Sequence, residues 1–144
     1  IFDLGVRRLC SNEGTKLGPS RLGELFEQWV GLELIYQGRL LSPRARLKFW
    51  RDPDGPEVDW VIENEGKYIP IEVKWTEFPT TRDANDLHVF LREYPNSNEA
   101  FIVCRCQRRQ KITDQVTAVP WQEVSDLIFM NQGPSHPPRP NISI

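Results

Sequence analysis

The chain has 144 residues, of which 39% are hydrophobic and 10% aromatic, and its formal net charge at pH 7 is -2. This length suits one domain with a core of its own, and the composition excludes a disordered, fibrous or collagen-like chain. No apolar stretch approaches the roughly 18 residues of a membrane span and no signal-peptide pattern stands at the start, so we expect a cytoplasmic protein without a membrane partner.

The first predicted element is an amphipathic helix that starts at Pro19 and Ser20 and runs up to Gly38. Ser20 offers an N-cap, and apolar residues recur at helical spacing. These apolar residues are Leu22, Leu25, Phe26, Trp29, Val30 and Tyr36. At about 100° per residue, Glu27 falls at the edge of the apolar stripe. The helix therefore carries a carboxylate at the border of its packed face.

Three strands are predicted to follow, at residues 46–50, 57–63 and 68–75. A turn rich in Gly and Pro separates the first two, and residues 64–67 are a hairpin signal that pairs the second and third antiparallel. Strict alternation of side chains along the second strand predicts which residues share each of its two faces. One face carries Val58, Trp60 and Ile62, and the other carries Glu57, Asp59, Val61 and Glu63.

The second half of the chain is predicted to add a helix at residues 83–94 and an interior strand at residues 100–106. A helix between such strands suggests a crossover. Residues 115–119 are predicted as an edge strand, and residues 120–130 as a last helix that begins with a proline. The resulting order is helix, three strands, helix, two strands, helix, which indicates an α/β fold.

The predicted domain spans residues 1–131, and residues 132–144 are interpreted as a Pro-rich tail. The stretch from Gly133 to Pro140 holds four prolines and no hydrophobic periodicity. At the other end, Ile1 to Val6 already resembles structured sequence. We therefore expect the chain to be a piece of a longer protein.

The three cysteines favour buried, reduced thiols. Cys104 and Cys106 alternate in an apolar run, so their side chains should share one strand face, and Cys10 is distant in sequence. A zinc site would need more ligands than the two neighbouring thiols supply.

The candidate catalytic residues are Asp59, Glu72 and Lys74. Glu72 and Lys74 lie two apart on a strand and project from one face, and Asp59 can reach the same point from the neighbouring strand. Mg²⁺ prefers a few carboxylate oxygens with waters around them, and an ammonium group can stabilise the negative charge of a phosphate transition state. Glu27 could add a metal contact or a base. The pattern predicts a phosphodiesterase site that uses Mg²⁺ or Mn²⁺.

The same residues carry a resemblance to a known superfamily. Asp59, followed thirteen residues later by Glu72-Val73-Lys74, resembles the PD-(D/E)XK nuclease signature, and Gly23-x-x-Phe26-Glu27 resembles the first motif of that superfamily. With Phe2-Asp3-Leu4-Gly5, the sequence is similar over about residues 1–130 to the C-terminal domain of unknown function in many prokaryotic AAA-type ATPases. The resemblance implies a restriction-endonuclease-like mixed sheet flanked by helices.

The resemblance also implies roles for these residues and an ATPase module upstream as a partner. Asp59 and Glu72 would bind the metal, with the Val73 carbonyl oxygen as a third ligand. Lys74 would be the catalytic lysine and Glu27 the helix acid, and the substrate would be DNA or RNA. The chain departs from the family pattern at Glu57-Val58, where the family has the proline of its Pro-Asp dipeptide. No G-x-x-x-x-G-K-[ST] loop occurs here, so these 144 residues are not expected to bind ATP.

Two other functions remain open. In one, Asp59, Glu72 and Lys74 form a partly buried salt-bridge cluster without metal or turnover, and the domain regulates or assembles the ATPase. In the other, the domain binds nucleic acid without cleavage. Because the net charge is slightly negative, the domain as a whole does not attract nucleic acid, and a locally basic part of its surface would have to bind it. The basic run between Arg39 and Arg51 offers phosphate contacts, although solvated surface is the ordinary role of such a run. Its candidate residues are Arg44, Arg46, Lys48 and Arg51.

Overall fold

A computed structural model describes residues 18–41 and 45–130 of the chain. The described helices and strands are α1 (Pro19–Leu41), β1 (Arg46–Arg51), β2 (Glu57–Asn64), β3 (Lys67–Val73), α2 (Asn85–Glu93), β4 (Ala100–Cys104), β5 (Gln110–Lys111), β6 (Val116–Pro120) and α3 (Asp126–Phe129). Single 3-10 turns precede α2 at Thr81–Ala84 and α3 at Trp121–Glu123. The predicted Pro-rich tail, the Phe2-Asp3-Leu4-Gly5 motif, Cys10 and Arg44 lie outside the described residues.

The six strands form one mixed sheet in the order β1-β2-β3-β4-β6-β5. Strands β1, β2 and β3 pair antiparallel, β3 with β4 and β4 with β6 pair parallel, and β5 with β6 pairs antiparallel. The chain crosses from β3 to β4 through α2, as a parallel pair requires. The mixed α/β class, with helices flanking the sheet, is thus confirmed. The carboxyl ends of β3, β4 and β6 meet at one edge of the sheet.

Each face of the sheet buries its own apolar cluster. On one face, Phe26, Val30 and Leu34 of α1 pack with residues such as Ile71 and Phe101. On the other face, Leu87 and Phe90 of α2 belong to a second cluster. The strand residues of this cluster include Val58, Ile102 and Ala118. Strand β4 is buried at every position, which confirms the predicted interior strand. The sheet is thereby held between α1 and α2.

Three predicted elements differ from the structure. The predicted edge strand at residues 115–119 is wrong in position, because β6 lies between β4 and the two-residue strand β5. Strand β5 is exposed at both residues and too short to show a hydrophobic period. The predicted last helix is instead a 3-10 turn and the short α3. Helix α1 continues past Gly38, which does not adopt the positive φ of a helix-ending glycine.

Cys104 and Cys106 are free and buried, as predicted. Burial is the main cause that raises the pKa of the Cys104 thiol to about 12.

Among the helices of residues 18–41 and 45–130, none combines the length and apolar character needed to cross a membrane.

Candidate functional site

A β-bulge in the ladder between β1 and β2 includes Asp59. Lys48 pairs with Val61, and Trp50 pairs with Val58. One residue of β1 therefore stands opposite two residues of β2, one of which is Asp59. An extra residue of this kind bends the strand and re-aims the side chains beside it, and such bulges are frequent next to active sites.

The bulge overturns the predicted faces of β2. Val58 and Val61 belong to the apolar cluster on the α2 face, whereas Trp60 and Ile62 belong to the α1 face. The prediction that Val58 shares a face with Trp60 and Ile62 is therefore wrong. Strict alternation fails here because the extra residue inverts the order of faces at this point in the strand.

Trp60 connects the bulge to α1. Its Nε1 donates a hydrogen bond to the main-chain oxygen of Glu27 at 3.3 Å. The indole lies so close to Gly31 that a Cβ atom there would stand 2.8 Å from the Trp60 Cε2 atom. The close approach needs a glycine at position 31, and it places the Glu27 turn of α1 beside the strand that carries Asp59.

The Asp59 carboxylate extends the pairing of β2 and β3 beyond its last backbone pair. Its Oδ2 atom accepts a hydrogen bond from the Val73 N–H at 2.8 Å, whereas the register between the strands ends at Trp60 and Ile71. Burial raises the pKa of the Asp59 carboxyl above its usual value, although the bond from Val73 acts in the opposite direction. Asp59 is therefore fixed by the backbone at the end of β3.

Glu72 is buried, with 7% of its surface exposed, and only one of its carboxylate oxygens has a partner among the described residues. Its Oε1 atom lies 2.7 Å from the Lys74 Nζ, and its Oε2 atom is buried without a hydrogen-bond partner in those residues. Burial, and next the negative charge of Asp59, raise the pKa of Glu72 to about 7. A buried oxygen with free lone pairs is a binding position for a donor or a cation.

Lys74 follows β3 at the carboxyl edge of the sheet. Its backbone N–H donates to the Val103 oxygen at 3.0 Å, which holds it beside β4. Burial alone would lower the pKa of the Lys74 ammonium group, but the hydrogen bond that Lys74 donates to Glu72 and the negative charge of Glu72 outweigh burial, so the pKa is raised. Lys74 is therefore positively charged at neutral pH.

Glu27 belongs to the same electrostatic group. Burial, and next the charges of Asp59 and Glu57, raise the pKa of Glu27 above its usual value, while Lys74 lowers it. The pKa values of three carboxyl groups, those of Glu27, Asp59 and Glu72, are thus raised although each of them feels the positive charge of Lys74. An excess of mutually repelling acids favours proton uptake or a bound cation.

The donor set suits a hydrated metal ion better than one enclosed by protein. In the described part of the chain, no group of three or more His, Cys, Asp or Glu side chains could hold a metal ion. Mg²⁺ commonly binds through one or two carboxylates and keeps several waters. Asp59 and Glu72, with the orphaned Oε2 atom of Glu72, fit that requirement.

The basic residues of β1 do not converge on this site. Lys48 forms an ion pair with Glu63, and Arg51 donates to Glu57 with Nε at 2.9 Å. Arg46 is exposed, and Arg44 lies outside the described residues. Two of the four predicted phosphate-binding residues are therefore paired with acids of β2.

The contacts that two other residues make near the site were not predicted from the sequence. Asp86, in the first turn of α2, accepts a weak hydrogen bond from the Glu57 N–H at 3.4 Å. The guanidinium group of Arg105 lies over the Trp75 ring, 4.1 Å from its centroid. The only sequence signal for Asp86 is an acid in the first helical turn, which is common on any helix. The Arg105 contact joins segments distant in the chain and leaves no local pattern.

Residues 22–124 match the family model described as "Domain of unknown function (DUF4143)". No curated protein matches the chain. Among solved structures, the chain is similar to one from the "refined half-complex from tetradecameric assembly of Thermococcus gammatolerans McrB AAA+ hexamers with bound McrC", with a TM-score of 0.49 and 14% identity. The match covers 75% of this chain and 32% of that chain, so this chain spans about a third of the other's length. Because the family model covers well over half of the residues, the chain belongs to the DUF4143 family.

Proposed function

We propose that this domain is a phosphodiesterase that uses Mg²⁺ or Mn²⁺ to hydrolyse DNA or RNA, on a sheet of the restriction-endonuclease-like kind. The buried Oε2 atom of Glu72, without a partner among the described residues, is the observation that carries the proposal. An unsatisfied buried acceptor costs about 1–3 kcal/mol. A divalent cation held by Asp59 and Glu72 would remove that cost and relieve the repulsion between the two carboxylates.

Val73 is the proposed third ligand. Its N–H points toward β2, where it donates to Asp59. In an extended strand the N–H and the C=O of one residue point to the same neighbour. The Val73 carbonyl oxygen is therefore directed to the side of the strand where the Asp59 carboxylate lies, which supports its role as a ligand.

The bound metal would polarise the phosphate and lower the pKa of a water molecule. Lys74, held by Glu72 and kept charged by its raised pKa, stabilises the negative charge that develops on the phosphate. Glu27, whose pKa is also raised, accepts the proton of the attacking water. The proposed domain comprises residues 1–131, and its proposed partner is an ATPase module of the same protein.

The proposal is tested by titration of the whole chain with Mg²⁺ and Mn²⁺ in a calorimeter, with cleavage of labelled DNA and RNA measured on the same samples. Asp59→Asn and Glu72→Gln should each lose metal binding and cleavage. Lys74→Met should keep metal binding and lose cleavage. The exposed loop acid Asp54 supplies a matched control, Asp54→Asn, which should behave as the wild type. A folded wild type that binds neither metal at millimolar concentration would overturn the proposal.

The ion pair between Glu72 and Lys74 favours a second candidate, an inert module that regulates or assembles the ATPase. In that case the pair is structural, and the domain changes ATP turnover without metal and without cleavage. Lys74→Met would then lower stability, because it would leave the buried Glu72 charge unpaired. Binding of nucleic acid without cleavage through β1 has less support, because Lys48 and Arg51 are already paired with acids.

A further inference from the structure

The loop from Lys74 to Asp83, here called the rim loop, has its backbone tied at several points. Near its start, the Thr76 N–H donates to the Lys74 oxygen at 2.8 Å, and the Arg105 N–H donates to the Thr76 oxygen at 2.8 Å. Near its end, the Thr80 N–H and hydroxyl both donate to Asp83 Oδ2, at 2.7 and 2.9 Å. A loop with these bonds presents its side chains in fixed positions.

Phe78 stands in the middle of the rim loop and is 80% exposed, more than any other large hydrophobic residue in the described part of the chain. Its backbone is held on both sides, because its N–H donates to Thr76 Oγ1 at 3.1 Å and the next residue, Pro79, is buried. Phe78 is therefore presented to solvent by an anchored backbone. An aromatic ring displayed in this way suits a flat, apolar ligand surface.

The position of the ring selects a ligand class. Phe78 is four positions after Lys74 in the chain, so the two Cα atoms lie at most about 14 Å apart. A ligand whose phosphate lies at Lys74 and whose flat surface lies at Phe78 has the chemistry of a nucleotide strand. Arg105, stacked on Trp75 next to Lys74, is a second cation near the strand's backbone, which would compete with Glu77 for it, since the Arg105 Nη1 lies 3.7 Å from the Glu77 Oε1.

We propose that Phe78 stacks on a nucleobase of the substrate strand close to the scissile phosphate, so that the site takes single-stranded or locally unpaired nucleic acid in preference to intact duplex. The inference rests on the proposed phosphodiesterase function. In a duplex the base faces are covered by their neighbours, whereas in a single strand they are free to stack on an aromatic side chain. Such stacking tolerates any base sequence.

The test is binding of the whole chain to single-stranded and duplex oligonucleotides that carry 2-aminopurine, with Ca²⁺ in place of Mg²⁺ to prevent cleavage. Wild type should bind the single strand more tightly and quench its fluorescence. Phe78→Ala should weaken single-strand binding on the order of ten-fold and abolish the quenching, and Phe78→Trp should preserve both. Tyr36→Ala is the matched control, because Tyr36 is an exposed aromatic residue, 61% exposed, toward the other end of α1 from Glu27. This control should bind as the wild type.

Equal binding by wild type and Phe78→Ala would overturn the inference, as would equal losses for single strand and duplex. If Phe78→Ala instead keeps nucleic-acid binding but loses association with the ATPase module, Phe78 is a protein contact and the inference is wrong. Metal titration of Phe78→Ala separates the two proposals. If wild type and Phe78→Ala both bind metal and cleave while stacking is absent, only the inference fails; if neither binds metal, the proposed function fails.

Discussion

The buried carboxyl group of Glu72 pairs with Lys74 while it is repelled by the charge of Asp59. Its folded-state pKa of about 7 lies above the ordinary value of 4.5, so the folded protein holds this proton more tightly than the unfolded chain. The contribution to stability is full below about pH 4.5 and is lost as the pH rises through 7. Without metal, the free energy of unfolding should therefore decrease across this interval.

Glu72→Gln isolates this effect at a single residue. The neutral amide imitates the protonated acid, so the variant should be more stable than the wild type at pH 8 by about 1–3 kcal/mol, and nearly equal to it at pH 5. Urea unfolding in EDTA at both pH values measures the difference. A wild type and variant with parallel pH profiles would show that the Glu72 carboxyl is not the group that titrates.

The residues of the site could be predicted one by one from the sequence, but their surroundings could not. Asp59, Glu72 and Lys74 could be singled out because the hairpin signal places the segment of Asp59 beside that of Glu72 and Lys74, although the regular alternation assumed for them fails at the bulge and Lys74 lies just beyond the end of β3. The bulge at Asp59 could not be predicted, because it depends on how β1 meets β2 and leaves no change in residue type. The charge of Asp86, which adds to the raised pKa of Glu72, enters from a helix far along the chain.

At the scale of elements, the contact between α1 and β2 sets the distance from Glu27 to the strand acids. Gly31→Ala would place a methyl group against the Trp60 indole, which is also held by its bond to the Glu27 oxygen. Either the ring or the helix must move, and overpacking of this kind costs about 1–3 kcal/mol. We expect lower stability and, because Glu27 shifts from Asp59, weaker cleavage.

Gly38→Ala is the control for this prediction on the same helix. A Cβ atom at Gly38 would meet nothing within 4 Å, so alanine there should stabilise α1 by about 0.5–1 kcal/mol. Thermal unfolding, tryptophan fluorescence and cleavage rates of the two variants measure the effects. If Gly31→Ala matched Gly38→Ala in all three, the close packing of Trp60 on Gly31 would not control the site.

Helices and strands with a clear hydrophobic pattern were predicted correctly from the sequence, and those without such a pattern were not. The long apolar stripe of α1 and the apolar run of β4 each gave the correct element type. Strand β5 has two exposed residues and exists only because β6 offers it backbone partners. The short 3-10 turn and α3 replaced the helix predicted at residues 120–130, because a segment of this length contains too few turns for periodicity to separate these forms.

At the scale of the whole molecule, the parallel arrangement of β3, β4 and β6 brings the ends of distant segments to one edge of the sheet. The α/β class followed from the alternation of strand and helix patterns, whereas the order β1-β2-β3-β4-β6-β5 required the three-dimensional pairing. At this edge Arg105, which follows β4, lies over the ring of Trp75, the residue next to Lys74 after β3. A ligand bound here connects segments that otherwise separate when the domain unfolds.

Metal binding should therefore stabilise the entire domain, with a pH dependence set by Glu72. A cation at 100 times its dissociation constant adds about 2.7 kcal/mol to the free energy of unfolding. Below pH 7 a proton competes with the cation for Glu72, so the stabilisation by Mg²⁺ or Mn²⁺ should be large at pH 8 and small at pH 5.5. Thermal unfolding with and without metal measures it, and Asp54→Asn should follow the wild type. An equal shift of Tm in Glu72→Gln would place the metal elsewhere, because that variant lacks the carboxylate for which proton and cation compete.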